Sequence, residues 1–283
     1  MQADSTTPTW LLAPEVPAAS RLGSMLAGTY RLDAVLGEGL TGVTYNGWHL
    51  RQKTAFAIKL LRRDLSHTHE RTLRLRADLR ALPALLGGGL LPAELGFTPE
   101  GAPFLASELL VGETLRQRLA RGPLPPQEAG ALVLAVARSL ERLHGAGLVH
   151  AELRPQNVLL PAEPSKASPA CEPVLLDLGL HHLRREGGGF DEDIPIARLM
   201  YLAPEQAAGE AESHSPAGDL FALGTLLYEC LSGKPAYGGD EMEVVLEKLA
   251  SPPPRLAPLE SAPGLDEAVS AVIARACARR PEE

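Results

Sequence analysis

The stretch Leu36-Gly37-Glu38-Gly39-Leu40-Thr41-Gly42 spaces its glycines as GxGxxG. Without a Cβ, the backbone N–H groups there can approach phosphate oxygens with no side chain in the way. The same spacing serves dinucleotide-binding folds, and a plain hairpin turn also needs glycines. Context helps to separate these uses. A dinucleotide fold opens a helix directly after its glycines, whereas here Gly42 to His49 reads as a strand, and the next strand carries Ala57-Ile58-Lys59. Phosphate binding by a β-hairpin is the chemistry that fits, with Lys59 one strand further on.

The elements that must position these residues follow from periodicity. Short strand-like runs cover Tyr30 to Leu36, Gly42 to His49 and Thr54 to Leu61, as in a small antiparallel sheet. Leu75, Leu79, Leu82 and Leu86 then recur at spacings of three and four, the stripe of an amphipathic helix over His69 to Leu86 that Pro83 should kink or end early. Another strand pair spans Leu91 to Gly96 and Pro103 to Leu110, and Glu108 to Gly112 reads as a hinge. Beyond it, Gln127 to Ala146 carries Leu132, Val136, Leu140 and Leu143 at helical spacing. Asp219 to Ser232 is almost wholly apolar, as in a buried helix. The proline-containing polar loop Pro161 to Pro173 should lie on the surface, and Met1 to Ala27 reads as a mobile tail unable to offset its ordering entropy.

Composition excludes several classes. The 283 residues are 45% hydrophobic and 22% charged, ordinary globular values. A formal net charge of −8 argues against a nucleic-acid surface or an anionic membrane as main partner. The three cysteines are widely spaced with no CxxC pair, which fits a reducing cytoplasm. No stretch offers the ~18 to 20 uncharged apolar residues of a membrane span, and the first residues lack a signal-peptide pattern.

From about Gly28 onward the ordered motifs resemble the protein-kinase superfamily, most closely the bacterial serine/threonine kinases of eukaryotic type. The match runs through the glycine segment, Ala57-Ile58-Lys59, His150-Ala151-Glu152-Leu153-Arg154-Pro155-Gln156-Asn157, Asp177-Leu178-Gly179, Ala203-Pro204-Glu205 and Gly218-Asp219. The resemblance implies that Leu36, Gly37, Gly39, Gly42, Thr44, Ala57, Leu110, Leu159 and the backbone of Glu108 surround a nucleotide. It implies that Lys59 pairs with the α and β phosphates, and that Asn157 and Asp177 hold magnesium. Asp78 stands at the helix position that pairs with this lysine, and Leu82 resembles a member of the apolar spine. His150 and Leu178 take packing roles, and Asp219 bonds the catalytic-loop backbone. Arg154 puts a guanidinium where the family has a lysine near the γ-phosphate. Glu205 closes the loop that begins at Asp177; the sequence given stops where the family has the arginine that pairs with it, so either Glu205 lacks that partner or the natural chain continues.

Departures cluster on the substrate side. Glu152 occupies the position of the aspartate that accepts the substrate hydroxyl's proton, and its carboxylate sits one methylene farther out; a displacement of about 1 Å can cost about a hundredfold in rate. Arg198 replaces a threonine that helps to hold that aspartate, so the alternatives are an Arg198–Glu152 ion pair or an Arg198 turned to solvent. No serine or threonine lies between Asp177 and Glu205, and Ala151 replaces the arginine that would grip a phosphorylated loop.

The expected architecture is α+β and bilobal: a mobile tail at 1–27, a small antiparallel N-lobe with one helix at 28–110, and a larger, mostly helical C-lobe at 111–283. The leading expected function is a cytoplasmic pseudokinase that binds ATP and Mg2+ and signals through conformation or an unidentified partner protein. The alternative is a slow serine/threonine kinase, independent of loop phosphorylation, using Glu152 as its base.

Overall fold

Tyr30 and Leu32 are buried while Arg31 and Asp33 between and after them are exposed, the period-two pattern of a strand with one face in a core. The computed structural model describes residues 17–39, 41–62, 69–85, 89–99, 101–183, 196–207, 214–238, 255–257 and 265–278. These separate into two compact units. The first holds the chain up to Ala84, Leu91–Val111 and a short stretch beginning at His182; the second holds Leu85–Leu90, Gly112–His181 and the remainder.

The first unit is built on a six-stranded antiparallel sheet of β1 (Met25–Leu26), β2 (Tyr30–Gly39), β3 (Gly42–His49), β4 (Thr54–Leu61), β5 (Ala93–Phe97) and β6 (Pro103–Glu108), in the order β1-β2-β3-β4-β6-β5. Its core joins Leu26, Tyr30, Leu32, Tyr45, Ile58, Phe104 and Ala106. Tyr30 meets the rings of His49, Phe56 and Phe104 edge-on at centroid distances of 5.0, 5.6 and 6.0 Å. Helix α1 (His69–Ala81) buries Leu75 and Leu79, and the chain tightens into a 3-10 turn at Leu82–Leu85 where Pro83 denies it another helical turn.

One expectation needs correction here. The tail expected to be mobile through Ala27 is ordered over its last eleven residues, because Ala18, in a 3-10 turn, and Leu26, on β1, contribute apolar surface to the core. Residues 1–16 lie outside the described chain, as does Leu86 of the helical stripe. The Pro161–Pro173 loop lies largely on the surface, as expected, with only Ala167 and Ser168 buried. Ala167 O accepts from Gly89 N at 3.3 Å and Ser168 Oγ donates to Glu172 O at 2.8 Å, which satisfies these two buried groups.

The second unit pairs a three-stranded antiparallel sheet, β7 (Gly112–Thr114), β8 (Val158–Pro161) and β9 (Val174–Leu175), with helices α2 (Leu115–Leu119), α3 (Pro126–Gly145), α4 (Ile196–Leu199), α5 (Pro204–Ala207), α6 (Pro216–Ser232) and α7 (Leu265–Ala276). Thr114 and Gln117 cap α2 reciprocally, each side chain accepting from the other's backbone N–H. The buried stripe of α3, Leu132, Val136, Leu140 and Leu143, packs on α6. Helix α6 starts on Ser215, whose hydroxyl caps Gly218 N, and ends on Gly233 in the left-handed conformation, φ 72°. Gly224 admits α7 at close range: a Cβ there would lie 2.7 Å from Cys277 Sγ. Among the described residues, no helix is long and apolar enough to cross a membrane.

Candidate functional site

In the first unit the glycine segment is the tip of a hairpin, with Gly39 opposite Gly42. Register shifts after Leu32 and Val35 bend β2 on the way there. Leu36 is half exposed, and a side chain on Gly37 would meet nothing within 4 Å, so open space borders the loop. Gly42 is fixed by its neighbour instead: a Cβ would sit 2.1 Å from Leu60 O. Thr44 pairs with Lys59 across the ladder and Ala57 with Asn46, which places Thr44, Ala57 and Lys59 on the sheet face opposite Tyr45 and Ile58 of the core. Glu108 ends β6 opposite Phe56, and Leu110 follows in irregular chain. Leu82 is 1% exposed.

Asp78 meets a partner that its motif position did not imply: its Oδ2 lies 2.7 Å from His182 Nε2. An aspartate is one methylene shorter than the family's glutamate, and the imidazole of the turn Leu180–Leu183 meets it there.

In the second unit Asp219, 1% exposed, organises the segment around His150. Its Oδ2 accepts from His150 N at 2.8 Å and its Oδ1 from Ala151 N at 2.7 Å, while His144 Nε2 lies 2.8 Å from Oδ2. These bonds hold Ala151 in the left-handed region, φ 59°. His150 is wholly buried, and that burial pushes its imidazole below its ordinary pKa against the pull of Asp219's charge. Asn157 Nδ2 donates to Glu152 O at 2.8 Å, and Leu176 N donates to Asn157 O at 2.9 Å, which ties the residue before Asp177 to the same segment. Asp177 has φ 62°, Leu178 is buried, and Leu159 lies on β8 between Thr114 and Val174.

Of the two alternatives for Arg198, the ion pair is formed. Its Nε donates to Glu152 Oε1 at 2.9 Å, with side-chain exposures of 10% and 1%. A further network lies behind it. Tyr201 N donates to Arg198 O at 3.0 Å, Tyr201 Oη donates to Glu229 Oε2 at 2.6 Å, and Arg116 bonds both Tyr201 Oη and Glu229 Oε1 at 2.6 and 2.9 Å. Burial and the Glu229 carboxylate together push the Tyr201 phenol well above the usual tyrosine range. Sequence reading gave no role to Arg116, Tyr201, Glu229 or His182; Tyr201 ends the run Ala197–Tyr201 that carries Arg198, and the Thr114–Gln117 cap opens the helix that carries Arg116. Glu205 lies in the first turn of α5. Arg154 precedes the 3-10 turn Pro155–Asn157 in extended backbone and is 5% exposed; its Nε is sealed from solvent without a hydrogen-bond partner.

Residues 30–271 match the protein kinase domain family, and the chain belongs to it. It is 31% identical over 268 residues to the serine/threonine-protein kinase PknE of Mycobacterium bovis, covering 94% of this chain and 45% of that protein. It is likewise 31% identical over 245 residues to PknA of Mycobacterium tuberculosis, covering 84% of this chain and 55% of PknA. The chain thus spans about half the length of these curated relatives. Among solved structures, a variant of the PknI kinase domain of Mycobacterium tuberculosis superposes with a TM-score of 0.68 at 25% identity, over 92% of this chain and 91% of that one. The fold is therefore the bilobal α+β protein-kinase fold, with an antiparallel N-lobe sheet and a helical C-lobe, as the motifs implied.

Proposed function

We propose that this chain is a Mg-ATP-binding pseudokinase domain that signals by conformation or by docking a partner protein. The observation that carries the reading is the buried Arg198–Glu152 ion pair. A working base must be free to accept the proton of the substrate hydroxyl. A carboxylate already bonded to a buried guanidinium is a poor acceptor, and Arg198 takes up the room where that hydroxyl would be presented.

The residues fit the nucleotide that the family uses. Asp177 and Asn157 offer hard carboxylate and amide oxygens suited to Mg2+, and the Asn157–Glu152 bond engages only the amide's nitrogen. Open space beside Gly37 suits phosphate oxygens. Bound Mg-ATP would supply charge neutralisation and a transferable phosphoryl group. Lys59 would orient its phosphates, and Leu36, Thr44, Ala57 and Leu159 would supply apolar walls to the base.

The test is transfer of labelled γ-phosphate, to the protein itself and to a generic serine/threonine peptide, run beside Mg-ATP-dependent thermal stabilisation. The expected result is stabilisation without transfer in the wild type, with transfer gained in Glu152→Asp/Arg198→Thr. Transfer by the wild type that Asp177→Asn abolishes would make the chain a slow kinase using Glu152 and overturn the proposal.

A further inference from the structure

Helix α4 is a single turn of four residues, too short to hold its own geometry in water. Arg198 lies on it, so the place of its guanidinium beside Glu152 is set by whatever grips that turn. Tyr201, three residues on, grips it. Its backbone N donates to Arg198 O at 3.0 Å, and its buried ring forms part of the wall of the small cavity that Glu152 and Arg198 also line. Asp219, on the same wall, is committed to His150 N, Ala151 N and His144, so it fixes the chain on the Glu152 side of the pair.

The far end of Tyr201 is held by two elements that do not depend on α4. Its hydroxyl donates to Glu229 Oε2 at 2.6 Å and accepts from Arg116 Nη2 at 2.6 Å, while Arg116 Nη1 donates to Glu229 Oε1 at 2.9 Å. Glu229 belongs to the last turn of α6. Arg116 belongs to α2, which is seated by buried Leu115 and Leu119 and closed by its reciprocal cap. The three side chains form a closed triangle in which every hydrogen bond has a charged member, the stronger kind. Low local dielectric makes such a network costly to leave half made.

We infer that Tyr201, Glu229 and Arg116 are positioning residues for the Arg198–Glu152 pair. The triangle fixes Tyr201, Tyr201 fixes the turn of α4, and the turn holds the guanidinium on the carboxylate. This deepens the pseudokinase reading and rests on it for its consequence, because it names what keeps Glu152 occupied. The side chain of Arg116 is 40% exposed while that of Glu229 is 2% exposed. A pair buried in the second unit is therefore linked to solvent through one arginine on α2.

The experiment follows hydrogen exchange at arginine Nε–H groups by isotope-edited NMR, without nucleotide or substrate, with the Arg198 signal assigned by its absence from Arg198→Met. In the wild type this N–H should be protected, because it is buried and bonded to Glu152. Exchange should be about tenfold faster or more in Arg116→Met and in Tyr201→Phe, as the turn opens locally. Arg116→Lys should fall between, since an ammonium can keep a bond to Glu229 but lacks the fork that also reaches Tyr201. Val136→Ala, which loosens the packing of α3 on α6 outside the triangle, is the comparison, measured at the same interval below its melting temperature. Exchange at Arg198 that is unchanged in both triangle variants, or accelerated no more than in Val136→Ala, overturns the inference and leaves the triangle a general support. Should Arg116→Met fail to fold, Tyr201→Phe decides alone, because it removes one oxygen and keeps the ring. No phosphate transfer enters the measurement, so a failure here is separate from failure of the pseudokinase reading, which would show as transfer by the wild type.

Discussion

Replacing Arg198 by methionine tests the ion pair at the centre of the proposal. At a separation of charge centres of about 4 Å and an effective dielectric near 20, the attraction is about 4 kcal/mol, against desolvation of several kcal/mol per ion. The pair as a whole therefore contributes little net stability. Removing one member is a different matter, because Glu152, with a side chain 1% exposed, would lose a buried counter-charge. That costs about 3 to 5 kcal/mol. With an unfolding entropy of about 2.1 cal/mol/K per residue over 283 residues, the melting temperature should fall by roughly 5 to 8 °C. Arg198→Met/Glu152→Gln removes both charges and should recover much of the loss, giving a coupling energy of about 2 to 3 kcal/mol in a double-mutant cycle. Denaturant and thermal unfolding of the four proteins without nucleotide supply the cycle. A coupling below about 0.5 kcal/mol, or an Arg198→Met loss no larger than that of an exposed arginine, would refute the reasoning that Glu152 depends on Arg198.

Two further outcomes follow from buried titratable groups. His150 is held neutral by burial, so on acidification the unfolded chain takes up its proton near pH 6.5 while the folded chain resists. Stability from this residue is therefore complete above that pH and lost below it, at up to about 1.4 kcal/mol per pH unit until the folded imidazole itself titrates. The difference in melting temperature between wild type and His150→Phe, followed from pH 8 to pH 5, should narrow as the pH falls; a constant difference would count against it. Tyr201, raised by burial and by Glu229, should contribute no phenolate absorbance near pH 10, so wild type and Tyr201→Phe should give superimposable titrations at 295 nm until the protein unfolds. One tyrosine's worth of amplitude missing from the variant in that range would show the hydroxyl to be exposed.

The sequence carried the family, because the residues that define it sit within short runs whose order along the chain is itself the signal. It also carried the strand and helix periods: alternation in Tyr30–Asp33, the three-four spacing of Leu75, Leu79 and Leu82, and the apolar run of Asp219–Ser232 each reflect one buried face of a local element. The Arg198–Glu152 pair was legible as one of two alternatives, since two departures from a shared motif fell at positions that the family brings together. Tertiary structure alone decided the rest. Asp78 went to His182, 104 residues away in the chain, and Arg116 to Glu229, 113 residues away, and no local pattern marks such partners. The tail residues Ala18 and Leu26 joined the core because a sheet edge was there to receive them. Arg154 shows the division most clearly. Its charge is written in the sequence, but whether that charge has a partner depends on what folds around it, because burial and hydrogen bonding belong to the packed chain.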